Sequence, residues 1–164
     1  MLKFAISICI LLSATAWGDE KKPEETNPRL EKLFRSMRDG TYDQFQGNKW
    51  FPDLRWDDIP ALLKRGDSKD HPKRFPINPA SSQAEQAPPT EGAIALWLIE
   101  GIRKGGKLPS LNILLASEAK IERSDAAQKK VLEAYQRWWK KVEKMPVEEA
   151  RKVEPLAGTG LAWH

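Results

Sequence analysis

The sequence predicts a mainly α protein, a small single-domain helical bundle with a central buried helix and long proline-rich loops. Three observations predict it. Residues 93–99 (Ala-Ile-Ala-Leu-Trp-Leu-Ile) form an unbroken apolar run between a threonine and a glycine pair, and a helix apolar on every side is a buried helix. The segments around that run carry apolar residues at helical spacing. Strand-like alternation is nearly absent, and the connections are dense in proline.

The chain opens on an export signal. Lys3 supplies the positive start, residues 4–12 are apolar apart from Ser7, and residues 13–18 are mostly small. Cleavage fits after Ala16 or after Gly18, and the second begins the mature chain on the polar run Asp19-Glu20-Lys21-Lys22. The apolar run is shorter than the roughly 20 residues of a membrane helix, so no membrane span is expected once the signal is removed. The expected organisation is a signal peptide over 1–18, a disordered lead-in over 19–26 and one helical domain over 27–164. Cys9 is the only cysteine and lies in the signal, outside any lipid-attachment pattern. The mature chain therefore has no disulfide and no cysteine-based metal site, and burial alone must hold it together. A chain of this size buries roughly 68–70% of its unfolded surface, enough for one core. The charge balance, 27 basic against 23 acidic residues, is too mixed to indicate nucleic acid. It leaves room only for attraction to anionic envelope material.

The elements follow in order. Asn27 is a good N-cap and Pro28 suits the first helical position. Leu30, Leu33, Phe34 and Met37 make one stripe, and Gly40 fits the C-cap. Residues 41–53 read as an aromatic loop with Tyr42, Phe45, Trp50 and Phe51. A helix over 57–65 has Asp57 and Asp58 in its first turn, where negative charge suits the dipole, turns Leu62 and Leu63 inward and stops at Gly66. Residues 67–89 form a long loop with Pro72, Pro76, Pro79, Pro88 and Pro89, anchored by Phe75 and Ile77. Thr90 caps the central helix, 91–104, which spans roughly 21 Å at about 1.5 Å per residue. Residues 108–115 read as a buried turn or a short extended piece. Ser124 caps a long helix over 125–144 whose apolar face is Val131, Leu132, Tyr135, Trp138, Trp139 and Val142. Lys129, Lys130, Arg137, Lys140, Lys141 and Lys144 lie on its wet faces, and Pro146 breaks it. A short helix over 147–152 and a tail folding back on Leu156, Leu161 and Trp163 complete the chain.

Several stretches look familiar together: Trp56-Asp57-Asp58-Ile59-Pro60-Ala61-Leu62-Leu63, Phe75-Pro76-Ile77-Asn78-Pro79-Ala80-Ser81-Ser82, Ala95-Leu96-Trp97-Leu98-Ile99-Glu100-Gly101-Ile102-Arg103, Pro109-Ser110-Leu111-Asn112, and Ala134-Tyr135 with Trp138-Trp139. On them the chain resembles a family of small secreted bacterial proteins of uncharacterised function. Relatives with this pattern are often lipid-anchored, and this chain departs from them by lacking the cysteine. The resemblance implies a compact helical fold and export. It implies no activity, so it brings no catalytic residues.

Glu100 is the foremost candidate, because it follows the apolar stretch and an isolated buried charge is very costly. It pairs with Arg103 or Lys104, or accepts from the 78–82 loop. The sharper alternative makes it a general acid with its pKa raised by apolar walls. Asn78, Ser81 and Ser82 sit in a proline-fixed loop, either closing backbone groups locally or lining a polar pocket above Trp97. Trp50, Trp56, Trp97, Trp138, Trp139 and Trp163 are core or, where exposed, stacking faces for sugars or peptides. The basic, glycine-rich residues 101–107 are no phosphate loop, because they end a helix and phosphate sites use N-termini. His71 and His164 make neither a metal site nor a triad by spacing, and no catalytic motif is present.

The expected function is that of a non-catalytic binding or structural module of the cell envelope, secreted or periplasmic, with no cofactor and no metal. Its binding residues would be Asn78, Ser81, Ser82, Trp97, Glu100 and Arg103, and its partner an envelope protein, peptide or glycan. One alternative is an envelope hydrolase using Glu100 as acid with Asp57 or Asp58 beside it. Another is glycan or peptide capture through exposed Trp.

Overall fold

Capping residues set the helix starts in a computed structural model that describes residues 27–43, 51–77, 88–118 and 120–164. Asn27 Oδ1 accepts from the Leu30 amide ahead of α1 (Pro28–Asp39), Thr90 Oγ1 from Ala93 ahead of α3 (Glu91–Arg103), and Ser124 Oγ from Ala127 ahead of α4 (Asp125–Val142). Each satisfies an amide that a helix start leaves without an intrahelical partner. Gly40 closes α1 in the left-handed conformation, φ 79°, which costs glycine little. Between α1 and α3 lies α2 (Ile59–Arg65), and α5 (Val147–Ala150) follows α4.

Asp58 belongs to a 3₁₀ turn, Trp56–Asp58, that leads into α2. Its side chain is turned inward and is only 2% exposed. It accepts from the Arg55 amide at 2.7 Å and from Asn27 Nδ2 at 2.7 Å, and it pairs with Arg29. The start of α1 is thereby tied to the start of α2. The sequence places this carboxylate at a helix start, where negative charge suits the dipole, and a charge-assisted network across 31 residues buries it there.

The central helix is α3, buried from Ile94 to Arg103. Helices α2 and α4 pack on it, and the largest fully buried side chains include Trp97, Tyr135 and Phe34. The approach is close because of glycine. A Cβ on Gly92 would stand 2.6 Å from the Gly66 carbonyl oxygen and 2.3 Å from Gln128 Nε2. On Gly101 it would stand 2.2 Å from the Phe51 ring. Gln128 uses that space to donate to the carbonyls of Gly66 and Ser68, which fastens the end of α2 against α4. At the same level Glu91 is buried between Arg38 and Arg65.

The expected mainly α, single-domain arrangement is what the chain adopts. Boundaries differ by a residue or two. Helix α4 ends at Val142 rather than 144, shortly before Pro146. Helix α3 ends at Arg103, and α5 ends at Ala150 rather than 152. Phe75 packs against the core as expected. The near absence of strand-like alternation agrees with a very small strand content. Strands β1 (Leu115–Ala116), β2 (Ile121–Glu122) and β3 (Ala162–Trp163) form an antiparallel sheet in the order β2-β1-β3. Two residues are too few to show alternation. Leu115 faces Trp163 across the ladder, so the tail folds back with Leu156 buried. Among the described residues no helix is long and apolar enough to cross a membrane.

Candidate functional site

The last turn of α3 carries the charge that its apolar body lacks. Glu100 is 3% exposed. Its Oε1 accepts from Arg103 Nη2 at 2.6 Å, and its Oε2 accepts from Arg103 Nε at 2.9 Å and from the Tyr135 hydroxyl at 2.9 Å. The guanidinium is therefore bidentate on one carboxylate, the strongest geometry for such a pair. Its terminal nitrogens reach further partners. Nη1 donates to the Arg151 carbonyl at 2.8 Å, and Nη2 also reaches Glu154 Oε2 at 2.9 Å. Arg151 answers by donating to the carbonyls of Ile102 and Arg103, groups that a helix end leaves without partners.

This geometry decides how Glu100 acts. Burying two charges costs several kcal/mol per ion, and full hydrogen bonding offsets it. Here the Arg103 nitrogens are aimed at two carboxylates and one backbone carbonyl. Arg103 is raised above its already high ordinary value, chiefly by its hydrogen bond to Glu100. The partner carboxylate expected at Asp57 or Asp58 is not there, since neither lines the cavity on which Glu100 opens. Glu154 takes that place, and one nitrogen of Arg103 stands between the two carboxylates. A glycosidase pair needs the scissile bond between its carboxylates, and in this protein a guanidinium occupies that position.

The cavity measures about 280 Å³ and is lined by Glu100, Lys104, Glu154, Leu156, Ala157, Leu161, Ala162 and Trp163. Lys104 Nζ lies 3.6 Å from Glu100 Oε1 and donates to the Pro109 carbonyl at 3.0 Å. Lys104 and Glu154 are substantially exposed, and the half-buried Trp163 donates its indole N–H to the Tyr135 hydroxyl at 3.1 Å. Ionic, aromatic and aliphatic groups thus share one opening. A second, mostly apolar cavity of about 170 Å³ lies on the other side of Trp163, with His71, Ile113, Leu115 and Gln128 among its walls.

Of the residues the sequence singled out, Glu100 and Arg103 are brought together. Trp97 is completely buried, with its N–H on Ser110 Oγ at 2.7 Å, so it has no face for a ligand. Asn78, Ser81 and Ser82 lie outside the described residues. Trp56, Trp138 and Trp139 form a mutual cluster with ring centroids 5.7–6.0 Å apart, and the Arg151 guanidinium sits over Trp56 at 5.8 Å. His71 Nδ1 lies 2.9 Å from the Pro88 carbonyl. Among the described residues no group of His, Cys, Asp and Glu is placed to hold a metal. Sequence reasoning read Tyr135 only as part of an apolar face and did not single out Glu154. A buried phenol needs a partner for its hydroxyl, and that was the available signal for Tyr135. Glu154 gave none.

The buried phenols have a pH signature. Tyr135 is raised well above the ordinary tyrosine value, first by burial and then by the facing charge of Glu100. Tyr42 is pushed up to about 12 by burial and by Asp43. An unfolded tyrosine releases its proton near about pH 10, so above that point the folded chain binds more protons than the unfolded one. Stability must then fall as pH rises. The contribution is complete below about pH 10 and is lost toward the folded-state values. Thermal unfolding across alkaline pH is expected to show this fall, and Tyr135→Phe to flatten it. An undiminished slope in that variant would assign the effect to other groups.

Fold and site together define a small helical module with a fully compensated buried ion pair in the wall of a surface cavity. Residues 24–164 match the model of a family described as a domain of unknown function, DUF4943. The chain belongs to that family. No curated protein and no solved structure matches it.

Proposed function

We propose that the chain is an exported, non-catalytic binding module of the cell envelope. Its first eighteen residues are read as the leader that is removed, and the domain that follows acts in a secreted or periplasmic setting. Its working surface is the cavity of Lys104, Glu154 and Trp163 above the Glu100–Arg103 pair.

The observation that carries this reading is the position of the Arg103 guanidinium between two carboxylates in the cavity wall. It freezes the polar groups in place, which lowers the ordering cost of binding, and it leaves no space between them for a bond to be broken. A half-exposed indole beside a partly exposed ammonium and a carboxylate suits a small polar ligand with one apolar face, such as a sugar or peptide unit of the wall. Titrating the protein with muropeptides from digested peptidoglycan, read by tryptophan fluorescence, is expected to give a saturable shift. Lys104→Ala and Trp163→Phe should each weaken it. Absence of any shift, or an unchanged one in both variants, counts against the reading, and cleavage of the fragments that Glu100→Gln abolishes would replace it with hydrolysis.

A further inference from the structure

A row of exposed cations runs along α4, and we infer that it is a docking surface for a bilayer rich in anionic lipid. At about 100° per residue, Lys129, Lys130, Arg137, Lys140 and Lys141 fall within an arc of roughly 120° on the side of α4 turned away from the core. All five are exposed, and Lys144 continues the row just past the helix end. Glu133 is the one carboxylate inside the arc. The row is about 18 Å long at about 1.5 Å per residue.

The fold accounts for only part of this arrangement. Among the described residues none of the six cations is in an ion pair. Arg137 and Lys141 are like-charge neighbours at i,i+4, and so are Lys140 and Lys144, and such pairs repel. Lys140, Lys141 and Lys144 suit the negative end of the helix, but Lys129 and Lys130 stand near the other end, where the dipole gives them no support. Glu133, at i,i+4 from Lys129 and Arg137, offsets only part of this repulsion, and the row keeps a strong net positive charge.

Its shape and composition select the occupant. The face is convex and carries no aromatic or large apolar side chain, so it offers neither a pocket for a small ligand nor a wedge for insertion. Five of the six cations are lysine, a flexible point charge, rather than arginine, whose planar fork recognises single phosphates bidentately. A line of lysines fits a diffuse negative surface such as an anionic leaflet, which attracts basic segments roughly in proportion to their charge.

The test compares the full chain with K129Q/K140Q/K141Q in sedimentation with vesicles of phosphatidylglycerol and phosphatidylcholine. These positions are exposed, and circular dichroism should show an unchanged fold. At about fivefold per cation near the surface, the variant is expected to bind these vesicles about a hundredfold more weakly, and added salt should erase the difference. On phosphatidylcholine alone the two proteins should behave alike, because an apolar leader retained in either would bind regardless of headgroup charge. Equal binding of both proteins to anionic vesicles would overturn the inference. So would an equal loss on neutral vesicles.

Discussion

Glu100→Ala is expected to destabilise the fold by about 3–5 kcal/mol, the cost of leaving one partner of a buried ion pair alone. Arg103 would keep Glu154 and the Arg151 carbonyl but lose both bonds of its bidentate contact, and the Tyr135 hydroxyl would lose its acceptor. The side chains of Glu100 and Arg103 are 4% and 9% exposed, so water cannot substitute freely. Denaturant unfolding measures the loss directly. The double variant Glu100→Leu with Arg103→Met removes both charges and fills their volume, and apolar replacement of buried pairs is often neutral or better. It is expected to recover much of the stability. A single-variant loss below about 1 kcal/mol, the range of surface pairs, would mean that the network is solvated and that the binding surface above it is not preorganised.

Trp97→Ala is the second large effect, expected at about 3–5 kcal/mol. Trp97 is fully buried at the middle of the helix on which α2 and α4 pack, and its removal opens a large cavity. It also takes the donor from Ser110, whose hydroxyl donates in turn to the Asn112 carbonyl at 2.6 Å. That small chain holds the turn ahead of β1. Trp97→Phe keeps much of the ring volume and costs less, with the lost hydrogen bond worth about 1 kcal/mol of the difference. Unfolding midpoints of the two variants separate volume from hydrogen bonding. Equal losses would show that the indole N–H matters more than its bulk.

The site was only half legible. Glu100 and Arg103 announced themselves, because a carboxylate behind an apolar run needs a cation within a helical turn. Tyr135 lies 35 residues from Glu100 in the chain, and Glu154 lies 51 residues from Arg103. No local pattern links such positions. Asp58 shows the same limit from the other side. Its place at a helix start argued for a dipole partner, and nothing local showed that Asn27 and Arg29 would bury it.

What the sequence determined by itself was the set of helices: Asn27, Thr90 and Ser124 as their starts, Pro146 as a stop, and residues 94–99 as the core. These follow from spacing and from backbone groups that must be satisfied within a few residues. The tertiary structure decided the three short strands, the inward turn of Asp58 and the Glu154–Arg103–Glu100–Tyr135–Trp163 chain. Each of these depends on which surfaces meet. Close approach through Gly92 and Gly101 and the return of the tail onto β1 set those meetings, and no stretch of neighbouring residues contains that information.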